Sequence, residues 1–76
     1  MPTFRYYVDD EEQFTEKHEV TATEILIQAH LSPEQYYLEQ IEGAKSVSYK
    51  DDPNRVIHMH QDMRFVSVYT GGTPLS

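Results

Sequence analysis

The chain has no cysteine and no tryptophan, and only three of its 76 residues are glycine. Without a thiol it can form neither a disulfide nor a thiolate metal site, and it has no cysteine nucleophile. A reducing, cytoplasmic setting fits that composition. Cations are scarce: six Lys and Arg stand against 13 Asp and Glu, a formal net charge of −7. This shortage disfavours nucleic acid and anionic membranes as partners, because phosphate contacts need clustered Lys or Arg. It favours a partner with a basic face, although the same acidity also serves plain solubility. No apolar run is long enough to span a bilayer, and the first residues lack a basic-then-apolar signal pattern. The length allows one small domain, with stability on the order of a few kcal/mol.

What is present reads as alternating strands around one helix. Phe4, Tyr6 and Val8 alternate with Arg5 and Tyr7, the mark of a strand with one buried face. Asp9 to Glu12 is a charged turn. Gln13 to Val20 is expected to form a second strand at a sheet edge, with Phe14 as its core residue and Glu16 and His18 on the same side. Thr21-x-x-Glu24 fits a capping box, and Ala22, Ile25, Leu26 and Ala29 fall at the spacing of a buried helical stripe. That helix is expected to stop near His30 or Leu31, because Ser32 precedes Pro33.

Gln35 to Ile41 reads as a third strand, Gly43 as a turn and Ser46 to Tyr49 as a short fourth strand. Lys50 to Arg55, with Asp52-Pro53-Asn54, reads as a loop. Val56 to His60 fits either a helical turn or an extended connector. Met63 to Tyr69 is the last strand, with Met63 and Phe65 on one face and Arg64, Val66 and Val68 on the other. The expected class is α+β, a ββαββ order in a mixed sheet with the helix on one face and the last strand parallel to the first.

Two of the three glycines are adjacent, Gly71-Gly72, directly after this strand, and Thr73-Pro74-Leu75-Ser76 follows them. Glycines lack a Cβ and can lie extended in a cleft too narrow for side chains. The pattern fits a precursor cut after Gly72, leaving a reactive carboxylate. Residues 1–70 would form the domain and 71–76 a flexible tail with a removable extension. Tyr69 to Gly72, if extended, would reach roughly 13 Å. The bond to be cut, Gly72–Thr73, keeps its N–H, and Pro74 favours an extended Thr73.

In order and spacing, the chain resembles the ubiquitin-like β-grasp family over nearly its whole length. The resemblance rests on the Ser32-Pro33-Glu34-Gln35 link, the Glu42-Gly43-Ala44-Lys45 turn, Val56-Ile57, and the final strand leading into Gly71-Gly72. It is closer still to bacterial ubiquitin-like proteins of the multiubiquitin type. The resemblance implies a modifier precursor in a bacterial conjugation pathway. A peptidase would remove the tail, and an activating enzyme would use ATP to adenylate the Gly72 carboxylate. A conjugating enzyme would then pass the acyl group to a lysine or other nucleophile on a target, giving an isopeptide bond in the lysine case. It also implies a monomer without cofactor or catalytic residues of its own, and a role in antiphage defence.

Gly71, Gly72 and Thr73 are then the conjugation and processing residues, and Val66, Val68, Tyr69 and Thr70 the candidate enzyme-docking surface. Glu39 lies at about the position of the isoleucine that centres ubiquitin's apolar patch, and Val68, Tyr69 and Thr70 stand where ubiquitin is basic. A dedicated activating enzyme is therefore implied. Two other readings remain: a β-grasp sulfur carrier ending in a thiocarboxylate, against which the extra tail argues, and a non-covalent interaction domain.

Other chemistry is weakly signalled. His58 and His60 share one side of an extended segment but have no third ligand nearby in sequence, with His18 and His30 remote. Asp9 to Glu12 lacks the spacing and glycine of a calcium loop. No carboxylate pair stands in a recognisable acid–base context. Lys17, Lys45 and Lys50 are the only lysines, and with the N-terminus the acceptors available if chains form.

Overall fold

The computed structural model describes residues 2–70. Strand β1, Phe4–Val8, buries Tyr6 and Val8 almost completely, with Phe4 partly buried beside them. Asp9 and Asp10 form a two-residue loop with φ of 53° and 68°. Positive φ at both positions is what a tight hairpin with right-handed strand twist demands, and Asp tolerates it better than most side chains.

The hairpin leads into β2, Glu11–Thr15, antiparallel to β1. Here the structure corrects the expected strand Gln13–Val20. The chain breaks at residues 16–18 and resumes as β3, Glu19–Thr21, which leaves the main sheet. Phe14 is not the core residue, being 56% exposed, whereas Thr15 and Val20 are buried. Register is the reason. A two-residue loop pairs even positions with odd ones, so Thr15 faces Phe4 on the inner side and Phe14 lies opposite Arg5 on the outer side.

Helix α1, Ala22–Gln28, begins at the capping box its sequence announces. The Thr21 hydroxyl accepts from the Glu24 N–H at 3.1 Å, and the Glu24 carboxylate accepts from the Thr21 N–H at 2.8 Å. Ala22, Ile25 and Leu26 are buried, with Ala29 packed at the margin of the same core. The helix ends in a Schellman arrangement: Leu31 N–H donates to Leu26 at 2.9 Å and His30 N–H to Ile27 at 3.0 Å, with His30 at φ 64°.

The remaining strands are β4, Tyr36–Glu42; β5, Lys45–Ser48; β6, Val56–His58; and β7, Met63–Tyr69. Residues 56–58 thus take the extended alternative, pairing antiparallel with β3. Gly43, at φ 63°, occupies the first position of the two-residue loop between β4 and β5. The main sheet has the order β2-β1-β7-β4-β5, with β7 parallel to β1 as expected and antiparallel to β4. The fold is therefore α+β: one helix, a mixed five-stranded sheet, and the separate β3–β6 pair. Tyr6, Ile25, Leu26, Leu38 and Phe65 fill the space between helix and sheet, with the Tyr6 and Phe65 rings edge to face at 6.0 Å.

Candidate functional site

Gly71, Gly72 and Thr73, and with them the tail 71–76, lie outside the described residues. The four candidate docking residues belong to β7 and its exit, and they divide between two faces. Val66 pairs with Glu39 and Val68 with Tyr37, on the face turned away from the core. Both valines are half-buried by these neighbours rather than freely exposed. Tyr69 pairs with Tyr36 on the helix side of the sheet, their rings 5.4 Å apart, and is half exposed. Thr70 is exposed, and its N–H and hydroxyl both donate to the Gln35 carbonyl, at 2.7 Å and 3.1 Å.

The outer face extends well beyond the two valines. Register places Tyr7 and Phe14 on it, with Ile41 opposite Arg64. Cations lie over its tyrosines: the Arg64 guanidinium is 4.7 Å and that of Arg5 5.8 Å from the Tyr7 ring, and the Lys50 ammonium is 5.7 Å from that of Tyr37. Arg5 is held by Asp62 at 2.8 Å, and the hydrogen bond to Asp62 is the main cause that raises its pKa. Arg64 meets Asp10 at 3.6 Å. Three of the six cations therefore gather on one face of an acidic chain, around an apolar and aromatic centre. Such a centre with a polar rim has the make-up of a protein contact surface.

A groove of about 230 Å³ opens beside Thr70, between α1 and β4, walled by Tyr36, Tyr37, Pro33 and Pro53. It adjoins the point where the chain leaves the sheet. Sequence reading located Val66 and Val68 but missed Tyr7, Tyr37 and Ile41, because membership of one face depends on strand order. Nor could it single out Asp9, whose carboxylate binds Ser67 across 58 residues of chain.

The histidines do not assemble. His58 lies 3.4 Å from Glu19, His18 packs its ring on Phe4, and His60 donates its N–H to the Met63 sulfur. Among the described residues no group of three His, Asp or Glu side chains is placed to hold a metal ion. No helix among them is long and apolar enough to cross a membrane. Lys17, Lys45 and Lys50 are all exposed, Lys17 in an ion pair with Glu24 at 3.2 Å.

No protein-family model matches the chain, and no curated protein or solved structure is significantly similar to it.

Proposed function

We propose that this chain is the precursor of a ubiquitin-like modifier with a β-grasp fold, cut after Gly72 and joined through that glycine to target proteins. Activating and conjugating enzymes of a bacterial pathway carry out the transfer. The observation that carries the reading is the course of β7. It runs between β1 and β4 in the centre of the sheet, parallel to the first strand, and its last residue is Tyr69, two positions before the glycine pair. In its first half, Arg64 and Phe65 are held by both neighbours, and its end, Val66 to Tyr69, is paired with β4. A pull or a docking event at that end is therefore passed through the β4 pairing into the centre of the sheet. The β2-β1-β7-β4-β5 order, with the helix between the second and third main-sheet strands along the chain, fits the β-grasp pattern.

In this reading the enzymes bring the chemistry and the chain supplies the Gly72 carboxylate. The outer face around Val66, Val68, Tyr7 and Tyr37 is the docking surface, supported by its half-buried apolar centre and surrounding cations. Thr70, bound to Gln35, is the last described residue before the glycine pair.

The test is expression of a tagged chain in cells of its source, followed by intact-mass and peptide mass spectrometry. Loss of Thr73 to Ser76, together with glycine remnants branched onto lysines of other proteins, is expected. An unprocessed mass defeats the reading, and so does a sulfur atom in place of oxygen at Gly72, which would mark a sulfur carrier.

A further inference from the structure

Strand β1 accompanies β7 only as far as the Val8–Phe65 pairing, after which it swings away into the hairpin. Asp9 N–H still donates to the Phe65 carbonyl at 3.0 Å. The next β7 amide on that side, Ser67 N–H, has no strand to meet. It donates instead to Asp9 Oδ1 at 2.9 Å, while the Ser67 hydroxyl donates to Asp9 Oδ2 at 2.6 Å. The left-handed φ of 53° at Asp9 goes with this turn away from the strand line. One carboxylate thus replaces the missing strand, and hydrogen bonds to an ionised acceptor are the stronger kind.

We propose that Asp9 is a positioning residue for the C-terminal handle. By clipping Ser67, it fixes Val66 and Val68 on the docking face. Together with the Gln35–Thr70 bonds on the opposite side, it sets the direction in which the chain leaves the sheet. The acidic turn, which in sequence reads only as a charged turn, is thereby coupled to the strand that an enzyme would engage. The structural part of this inference stands on its own. Its consequence for processing rests on the function proposed above.

Three variants of the full chain separate the causes. Asp9→Gly removes the carboxylate and suits positive φ. Asp9→Asn keeps one oxygen acceptor and tolerates the same φ. Ser67→Ala removes only the hydroxyl bond. Amide hydrogen exchange is read at Ser67 to Thr70 and, as a reference, at buried Tyr6 and Leu26. Asp9→Gly is expected to speed exchange at Ser67 to Thr70 by about tenfold or more, with Tyr6 and Leu26 little changed. Ser67→Ala is expected to give a smaller increase over the same residues, and Asp9→Asn to recover most of the protection. In source cells, maturation of Asp9→Gly should fall several-fold and recover in Asp9→Asn.

Unchanged exchange at Ser67 to Thr70 would overturn the proposal. So would an equal rise at Tyr6 and Leu26, or an Asn variant no better than Gly. If the native chain is never matured, the modifier reading fails, while the exchange pattern still decides the role of Asp9.

Discussion

At the residue scale, Thr21 and Glu24 show how much two side chains settle. Their reciprocal bonds satisfy two of the free N–H groups at the helix start, and Lys17 reaches the same carboxylate. The bond from the Thr21 backbone N–H, followed by that from Lys17, lowers the Glu24 pKa from its ordinary 4.5. A depressed carboxylate adds stability above the unfolded-state value and loses it as pH falls through the folded one. Thermal melts from pH 7 to pH 3 should therefore fall more steeply for the native chain than for Glu24→Gln. Thr21→Ala should cost about 1 kcal/mol in chemical denaturation at neutral pH.

Tyr6 lies at the other end of the scale. Burial raises its pKa above the ordinary 10.0, and its hydroxyl lies 3.3 Å from the Gln28 side-chain oxygen. A raised acid favours the fold below the unfolded pKa and withdraws that support as pH climbs past it. Stability should drop above pH 10.0, and Tyr6→Phe should lessen that alkaline loss. Both tyrosine and cap were legible in the sequence, since alternation and a four-residue motif are local signals.

At the element scale, the helix C-terminus invites improvement. His30 sits at φ 64°, the position that glycine occupies most readily in a Schellman ending. His30→Gly should stabilise the chain by about 0.5–1 kcal/mol, read from urea midpoints at constant slope. An unchanged or lower midpoint would show that the histidine side chain contributes more than its backbone conformation costs. Ser32-Pro33 put the stop near His30 or Leu31, whereas the helix ends slightly earlier, at Gln28 with Ala29 as its C-cap, because His30 turns left-handed. The split of the second strand was not readable from the sequence. Residues 11–15 follow β1 through a two-residue hairpin, whereas residues 19–21 pair with 56–58, almost forty positions away. The ambiguity of Val56 to His60 has the same origin, since Val56, Ile57 and His58 become a strand only because β3 is there to pair with them.

At the scale of the whole molecule, the two faces of the main sheet do different work. The inner face packs the helix through Leu38, Phe65 and Tyr6, and the outer face keeps an apolar strip with cations around it. Val68→Ser on the outer strip should cost no more than about 1 kcal/mol, since the side chain is only half-buried. The same substitution should reduce conjugate formation in source cells at least several-fold. Normal conjugation by this variant would remove Val68 from the proposed docking surface without bearing on the proposed cut after Gly72.

The sequence by itself determined the features that neighbours along the chain control: one buried face on Phe4 to Val8, the capped helix, the Gly43 turn, and the strand Met63 to Tyr69. Each depends on residues within a few positions of one another, where backbone preference and side-chain period act directly. Only the tertiary structure decided that Phe14 faces outward, that the second strand breaks, that Tyr7, Tyr37, Val66 and Val68 share one surface, and that Asp9 holds Ser67. Those outcomes depend on register and strand order. They are fixed by hydrogen bonds between segments up to 58 residues apart, for which the local pattern carries no signal.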